Sequence, residues 1–460
     1  MIDFRAIYES PYEILLRCKS QVEGDAEMFQ QLIEYFKERK VLVLGFGREG
    51  RSTYDIIRHN LPDKHIGIAD MREVEVFDNN VTLHCGPDYL DAIKEYDTII
   101  KTPGMSFKDV YVPDGVEVTC QTDLFLRFSD CICVGVTGTK GKTTTSTLIY
   151  GMVRQSGKKA CLIGNIGVPV LDSLESEKVD VAVIEMSSHQ LEFTTASPHI
   201  AVMTNIYPEH LDHYNGFGGY VAAKMNIIRH QTGSDYFICN AEQDFDRYFD
   251  FANAKPSVIR IGANGGIGDE DIIAAASQNE RLKGIHNRQN VCVAATVARC
   301  LGVSDEDILE AVKGFAGIEN RMEPVGEYGG IKFYNDSIAT IPHAVECAVE
   351  AIGDVDTLIF GGMDRGIDYS GFKRYLQKCR VRNLIGTPDT GIEICKALID
   401  IGCPKNIVLA QDLEEAVDAA FRFTEKGKSC LMSPAASSYN VYKDFEHKGN
   451  HFKQLVREHK

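Results

Sequence analysis

The stretch "GVTGTKGKTTT", Gly135–Thr145, brings together the residue types that grip a polyphosphate. Glycines let backbone N–H groups close on phosphate oxygens, Lys142 can reach the terminal phosphates, and Thr143 offers a hydroxyl to Mg²⁺. The eight-residue pattern G-x-x-x-x-G-K-[ST] is not met, because Val136 stands where its first glycine would be. What remains is a tighter G-T-K-G-K-T, with Gly138, Thr139, Lys140, Gly141, Lys142 and Thr143, followed by Thr144. It lies between an apolar strand, "CICVGV", and a helix-forming run, "TTSTLIYGMV". The loop is expected to bind a nucleotide phosphate.

A second glycine turn stands earlier in the chain. "GFGREG" is a full G-x-G-x-x-G (Gly45, Gly47, Gly50) directly after a strand, and Asp70 ends the next strand about twenty residues on. By pattern this is a dinucleotide fingerprint and favours an NAD-dependent dehydrogenase. A similar turn serving a different nucleotide is the other reading.

The elements that must position these turns are short apolar strands alternating with helices. "KVLVLG", "HIGIAD" and "YDTIIKTPG" make a small parallel α/β domain after a helical, polar preface over 1–39. "VDVAVIEMSS", "IAVMTNIYPEH" and "SDYFICNAEQ" continue the domain opened by the phosphate loop, and "IKFYNDSIAT", "DTLIFGGMDRG", "RNLIGTP" and "SCLMSPAASS" build a third. Three α/β domains in series are expected, over 1–120, 121–317 and 318–460. A formal charge of −17 argues against nucleic acid or anionic membrane as a partner. Fourteen cysteines without any C-x-x-C pair suit reduced thiols rather than disulfides or zinc. No apolar run reaches the roughly 18 residues of a membrane span, so a cytoplasmic protein is expected.

Further along, Glu185 ends the strand in "VIEMSSHQLE", where a second Mg²⁺ ligand belongs beside the Thr143 hydroxyl. His210 in "YPEHLDHY", Lys224 in "AAK", Asn290 in "HNRQN", Arg321 in "ENRMEPV" and Asp336 in "NDSIAT" follow in order. Taken singly each is an ordinary surface or core residue; the order is what carries information. With "GNIG" and the tail "SPAASSYNVYKDFEHKGN", this series resembles the Mur ligase family, the ATP-dependent amino-acid ligases of peptidoglycan precursor synthesis. The resemblance runs from about residue 40 to the C-terminus. Within the family, the S-S-x-Q-L-E stretch and the tail point to the branch that adds D-glutamate.

The resemblance implies a three-domain architecture: a Rossmann-like N-terminal domain for the UDP-muramoyl substrate, a central P-loop ATPase-like domain and a Rossmann-like C-terminal domain. It implies an acyl-phosphate route, in which ATP activates the substrate carboxylate and the incoming amine displaces phosphate. Lys142 would steady the β/γ-phosphates, Thr143 and Glu185 would hold Mg²⁺, and His210 would help hold a second. Lys224 would be carried as a carbamate supporting the metal site. Asn290, Arg321 and Asp336 would contact ATP, and closure of the third domain would precede chemistry. Gly47, Arg48 and Arg72 would serve the uridine nucleotide, Asn165 and Ser187 the muramoyl part, and Thr340, Arg365, Ser438 and Phe445 the acceptor side. A monomer acting on small molecules is expected.

Several residues depart from the branch's pattern. Ile338 stands where a lysine is usual, Arg365 replaces another lysine, and Tyr439 and Asn440 replace Leu-Asp. The other readings these leave open are another acceptor or donor, such as L-glutamate, or a non-catalytic nucleotide-binding relative. Glu49 occupies the first turn where relatives often carry a small hydroxyl residue. A carboxylate there is unfavourable beside a diphosphate unless it turns to the uracil edge.

Overall fold

The computed structural model describes residues 27–459, apart from 109, 166–168, 176–178, 210–212, 252–253, 267, 283, 365–366 and 439–440. The start of the preface, His210, Arg365, Tyr439 and Asn440 therefore lie outside the described residues. The chain divides into two compact units, one ending at Ala316 and one spanning Gly317–Lys460.

The first unit holds two sheets. One contains β1 (Val41–Leu44), β2 (Ile66–Asp70), β3 (Val81–Cys85), β4 (Thr98–Lys101) and β5 (Glu117–Thr119) in the order β3-β2-β1-β4-β5. All its pairings are parallel. The other contains β6 (Ile132–Thr137), β7 (Ala160–Gly164), β8 (Val181–Glu185), β9 (Ile200–Met203), β10 (Tyr236–Asn240) and β11 (Ser257–Ile261). Its order is β11-β10-β9-β6-β8-β7, again all parallel. Parallel strands covered on both faces are buried throughout, which is why β1 and β9 read as apolar runs and β2 and β8 as apolar runs closed by one carboxylate. Each glycine turn leaves the carboxyl end of an inner strand, β1 or β6, where α/β sheets place their ligands.

The preface differs from its sequence reading. Over Glu27–Lys37 it is an amphipathic helix, not a polar one, and it buries Leu32, Ile33, Tyr35 and Phe36 in the core of the first unit. Its polar residues lie on the opposite stripe of a helix of period 3.6.

The second unit has one sheet of β12 (Glu323–Tyr328), β13 (Ile331–Asn335), β14 (Val355–Phe360), β15 (Asn383–Gly386), β16 (Asn406–Leu409) and β17 (Ser429–Met432). The order is β12-β13-β17-β14-β15-β16, parallel except for the β12–β13 pair. Its last helix, Phe445–Glu458, begins at Asp444, whose carboxylate accepts from the N–H of His447. Among the described residues no helix is long and apolar enough to cross a membrane.

Candidate active site

The turn after β6 is fixed by its own backbone. Gly138 has φ 150° and a Cβ there would lie 1.9 Å from Thr204 Oγ1; Gly141 has φ 85° and a Cβ would lie 2.7 Å from Asn290 Oδ1. Only glycine fits both positions. Gly141 caps the helix Lys142–Gln155 with no side-chain bond, so the first-turn N–H groups remain for an anion. Around the loop, the Thr139 N–H donates to Asn205 O at 2.9 Å and the Lys140 N–H to Asn205 Oδ1 at 2.8 Å. Thr139 Oγ1 meets the Tyr220 hydroxyl at 2.9 Å, and Lys140 Nζ pairs with Glu209 at 2.7 Å. Lys142 folds over the turn, its Nζ donating to the carbonyls of Gly138 (3.0 Å) and Thr139 (3.2 Å). Thr143 is buried in the first helical turn, with Thr144 half-buried beside it.

Two buried groups of opposite kind flank the turn. Glu185, at the end of β8, is 1% exposed; its Oε1 accepts from Asn165 Nδ2 at 2.9 Å, while Oε2 has no hydrogen-bond partner among the described residues. A buried carboxylate oxygen without a donor is costly unless a cation takes it, so Glu185 and the Thr143 hydroxyl fit a hard divalent cation. Lys224, on the helix Gly216–Arg229, is also 1% exposed and donates to Gly138 O at 2.9 Å and Thr137 Oγ1 at 3.3 Å. Burial, and after it the charge of Lys142, pushes its amine well below the usual lysine range, against Glu209 and Glu185. A lysine shifted this way gives up its proton more readily than an exposed one, and only the unprotonated amine is a nucleophile.

The first turn is held differently. Asp70 Oδ2 accepts the Phe46 N–H at 2.8 Å, and Oδ1 accepts the Arg72 N–H at 2.9 Å. Burial opposes ionisation, but the backbone donors of Arg72 and Phe46 hold the Asp70 carboxyl below its ordinary range. Asp70 thus secures the turn itself. Gly47 and Arg48 are exposed at the start of the helix Arg48–Asn60, and the Arg72 side chain is 80% exposed. Ser187 caps the short helix Ser188–Leu191 in a reciprocal capping box with Gln190. Asn165, expected at the muramoyl substrate, has its amide on Glu185.

In the second unit Asp336 follows β13; Ser433 Oγ donates to its Oδ2 at 2.6 Å and the Met322 N–H to its Oδ1 at 3.1 Å. Burial raises its carboxyl to about 6 against these donors and the nearby Arg321. Arg321 and Thr340 are exposed and Phe445 is half-buried at the start of the last helix. Ser438 is 2% exposed and its hydroxyl has no partner among the described residues. Ile338 is half-buried, two residues past Asp336. Sequence reasoning missed Lys448, fully buried with its Nζ on the Gly361 carbonyl at 2.8 Å, where burial lowers the amine to about 8. The signal was there in "FEHKGN", a cation at an inward position of an amphipathic helix.

Comparison with known proteins now bears on this arrangement. The Mur ligase middle domain matches residues 136–298, and the Mur ligase glutamate ligase domain matches residues 320–436. The UDP-N-acetylmuramoylalanine–D-glutamate ligase of Acetivibrio thermocellus is 34% identical over 456 residues, covering 91% of this chain and 96% of its own. The enzyme of the same name from Ligilactobacillus salivarius is 32% identical, covering 93% and 98%. The chain belongs to the Mur ligase family.

Among solved structures, MurF from Acinetobacter baumannii superposes with a TM-score of 0.58 at 16% identity, covering 93% of this chain and 98% of that one. MurF from Thermotoga maritima, solved in complex with ADP, gives 0.53 at 17% identity, covering 92% and 97%. The α/β architecture expected from the sequence is thus a Mur ligase fold. Within it, Gly138–Thr144, Glu185, Lys224 and Asn290 lie around one turn. In this Mur ligase the first turn carries one unexpected contact: Glu49 turns to neither solvent nor a nucleotide edge but inward, where its Oε1 accepts from Gln190 Nε2 at 3.2 Å.

Proposed function

We propose that this chain joins D-glutamate to UDP-N-acetylmuramoyl-L-alanine at the expense of ATP, through an acyl phosphate, in peptidoglycan precursor synthesis. One observation carries the reading: a loop cation (Lys142), a buried carboxylate with one oxygen unpartnered among the described residues (Glu185) and a buried amine whose charge burial disfavours (Lys224) converge on a single phosphate-type turn. The names of relatives similar over nine-tenths of the chain supply the substrates.

The chemistry follows from charge. A carboxylate will not accept an amine until its oxygen is made a leaving group, and the γ-phosphoryl group of ATP does this. Backbone N–H groups at the uncapped start of the helix Lys142–Gln155 and the Lys142 ammonium neutralise the phosphates as the acyl phosphate forms. Bound Mg²⁺ would supply further neutralisation; Thr143 and Glu185 are the described residues that would hold it, with His210 as a further ligand. Lys224, as the free amine, would add CO₂ and lose a proton to become a carbamate, turning a buried cation into an anion beside the metal. Asn290 would position ATP from the Gly141 side, with Arg321 and Asp336 assigned to the same nucleotide. Thr340, Arg365, Ser438 and Phe445 are assigned to the acceptor, where the apolar Ile338 removes one cation from the amino-acid pocket.

The test is phosphate release with ATP, Mg²⁺ and UDP-N-acetylmuramoyl-L-alanine across D-glutamate, L-glutamate, D-aspartate and no amino acid, with product mass. Release confined to D-glutamate supports the reading. Release with another amino acid makes Ile338 the mark of a changed acceptor, and no release in any mixture overturns the ligase assignment.

A further inference from the structure

Glu49 is a carboxylate in the place least suited to one. It is the second residue of the helix Arg48–Asn60, whose N-cap Gly47 makes no side-chain bond, so it shares the positive end of that helix with any anion the turn receives. Its side chain is folded inward. Gln190 Nε2 donates to Glu49 Oε1 at 3.2 Å, and the Glu49 carbonyl accepts from Gln121 Nε2 and Thr53 Oγ1, each at 3.0 Å.

The orientation of Gln190 is then settled from both ends. Its Oε1 accepts the Ser187 N–H at 3.0 Å and sits 3.1 Å from Ser187 Oγ, which an amide nitrogen could not do for the N–H. The Nε2 end must therefore face Glu49. Glu49 fixes Gln190, and Gln190 fixes the cap of the helix that presents Ser187.

The surroundings do not neutralise Glu49. Lys101, at the end of β4, is the buried cation nearest in effect, but it pairs with Glu192 Oε2 at 3.2 Å between the rings of Phe107 and Phe193. Glu192 is shared in turn with His213 Nε2 at 3.3 Å. Arg48, on Glu49's own helix, is exposed. Asp172, from the 3-10 segment Val170–Glu175, adds like charge, and the Cys120 thiol beside the helix Gln121–Phe128 is held protonated by burial. Burial dominates and lifts the Glu49 carboxyl to about 7, against the Gln190 hydrogen bond and the charges of Lys101 and Arg48.

We propose that Glu49 is a proton-linked positioning residue: it takes up a proton when the diphosphate of the donor settles at the first turn, and it holds Gln190, and through it Ser187, in either protonation state. A neutral carboxyl keeps an oxygen for the Gln190 amide, so the positioning survives protonation while the repulsion does not. This rests on the donor reading above.

The experiment is calorimetric binding of UDP-N-acetylmuramoyl-L-alanine between about pH 6 and 8.5, in buffers of different ionisation enthalpy. The donor itself has no group titrating in that range. For the wild type, affinity should fall by up to tenfold per pH unit above about 7, with close to one proton taken up per donor bound. Glu49→Gln keeps an acceptor for Gln190 and should flatten that dependence. Glu49→Ala should lower kcat by about two- to tenfold, the order of one lost hydrogen bond, and Glu49→Gln should restore it. An unchanged slope in Glu49→Gln overturns the linkage, and a wild-type kcat in Glu49→Ala overturns the positioning. Absence of donor binding by every protein at every pH would instead overturn the donor reading.

Discussion

At the end of β1 the chain turns through "GFGREG" into the helix Arg48–Asn60; at the end of β6 it turns through "GTKGKT" into the helix Lys142–Gln155. Both turns leave an inner strand of a parallel sheet and both start an uncapped helix. Around the second stand Lys142, Lys224 and Glu185, the groups proposed above to meet phosphate and metal. Around the first, the acids face inward: Asp70 accepts the turn's Phe46 N–H and Glu49 accepts from Gln190. The glycines are common to both; the side chains that the neighbouring strands deliver decide what each turn can receive.

The largest effect should come from breaking the second turn's charge. Lys142→Ala removes the loop lysine that lies over the Gly138 and Thr139 carbonyls, and should lower turnover by about 10²–10³, the usual cost of a preorganised electrostatic group. Steady-state kinetics on a protein with unchanged melting temperature measures it. Near wild-type turnover would erase the contrast between the turns.

A middle-sized effect should come from the first turn and should be structural. Asp70→Ala strands the Phe46 N–H, in a buried residue, and should destabilise the fold by about 1–3 kcal/mol by denaturant titration. Because the folded state holds the Asp70 carboxyl below its ordinary range, its contribution is present above about pH 4 and is lost as pH falls through the lowered value. Asp70→Asn should therefore flatten part of the acid limb of the stability profile. If Asp70→Ala instead left stability intact and abolished donor binding, Asp70 would be a ligand contact and the turns would be alike.

Much of this was legible in the sequence, for a physical reason. A strand buried on both faces is mostly apolar, so β1, β8 and β14 announce themselves, and a glycine turn beside Lys-Thr announces an anion. What stayed hidden lacks such a local mark. β12 reads "EPVGEY", with a proline, a glycine and two acids, because an edge strand need not be apolar. The helix Glu27–Lys37 looked polar because four buried residues on one stripe are diluted by their neighbours. Asn165 and Gln190 have partners set by the sheet and not by the chain, Glu185 across β7–β8 and Glu49 at 141 residues' separation. The Glu49 departure was visible, but the direction of its side chain depended on Gln190 and could not be.

The smallest effect sharpens the comparison most. Arg72 is the cation that follows β2, yet its side chain is 80% exposed and reaches Asp70 Oδ1 only at 3.5 Å. An ion pair so placed contributes about 0–1 kcal/mol to stability, so Arg72→Ala should leave the melting temperature almost unchanged. Its KM for the UDP donor should nevertheless rise several-fold, by about the order of one screened polar contact, and the rise should shrink with added salt. A rise in KM at unchanged stability would separate two jobs at the first turn, Asp70 holding the backbone and Arg72 meeting the ligand. A fall in stability without a change in KM would return Arg72 to the fold and leave Arg48 as the exposed cation available to the donor.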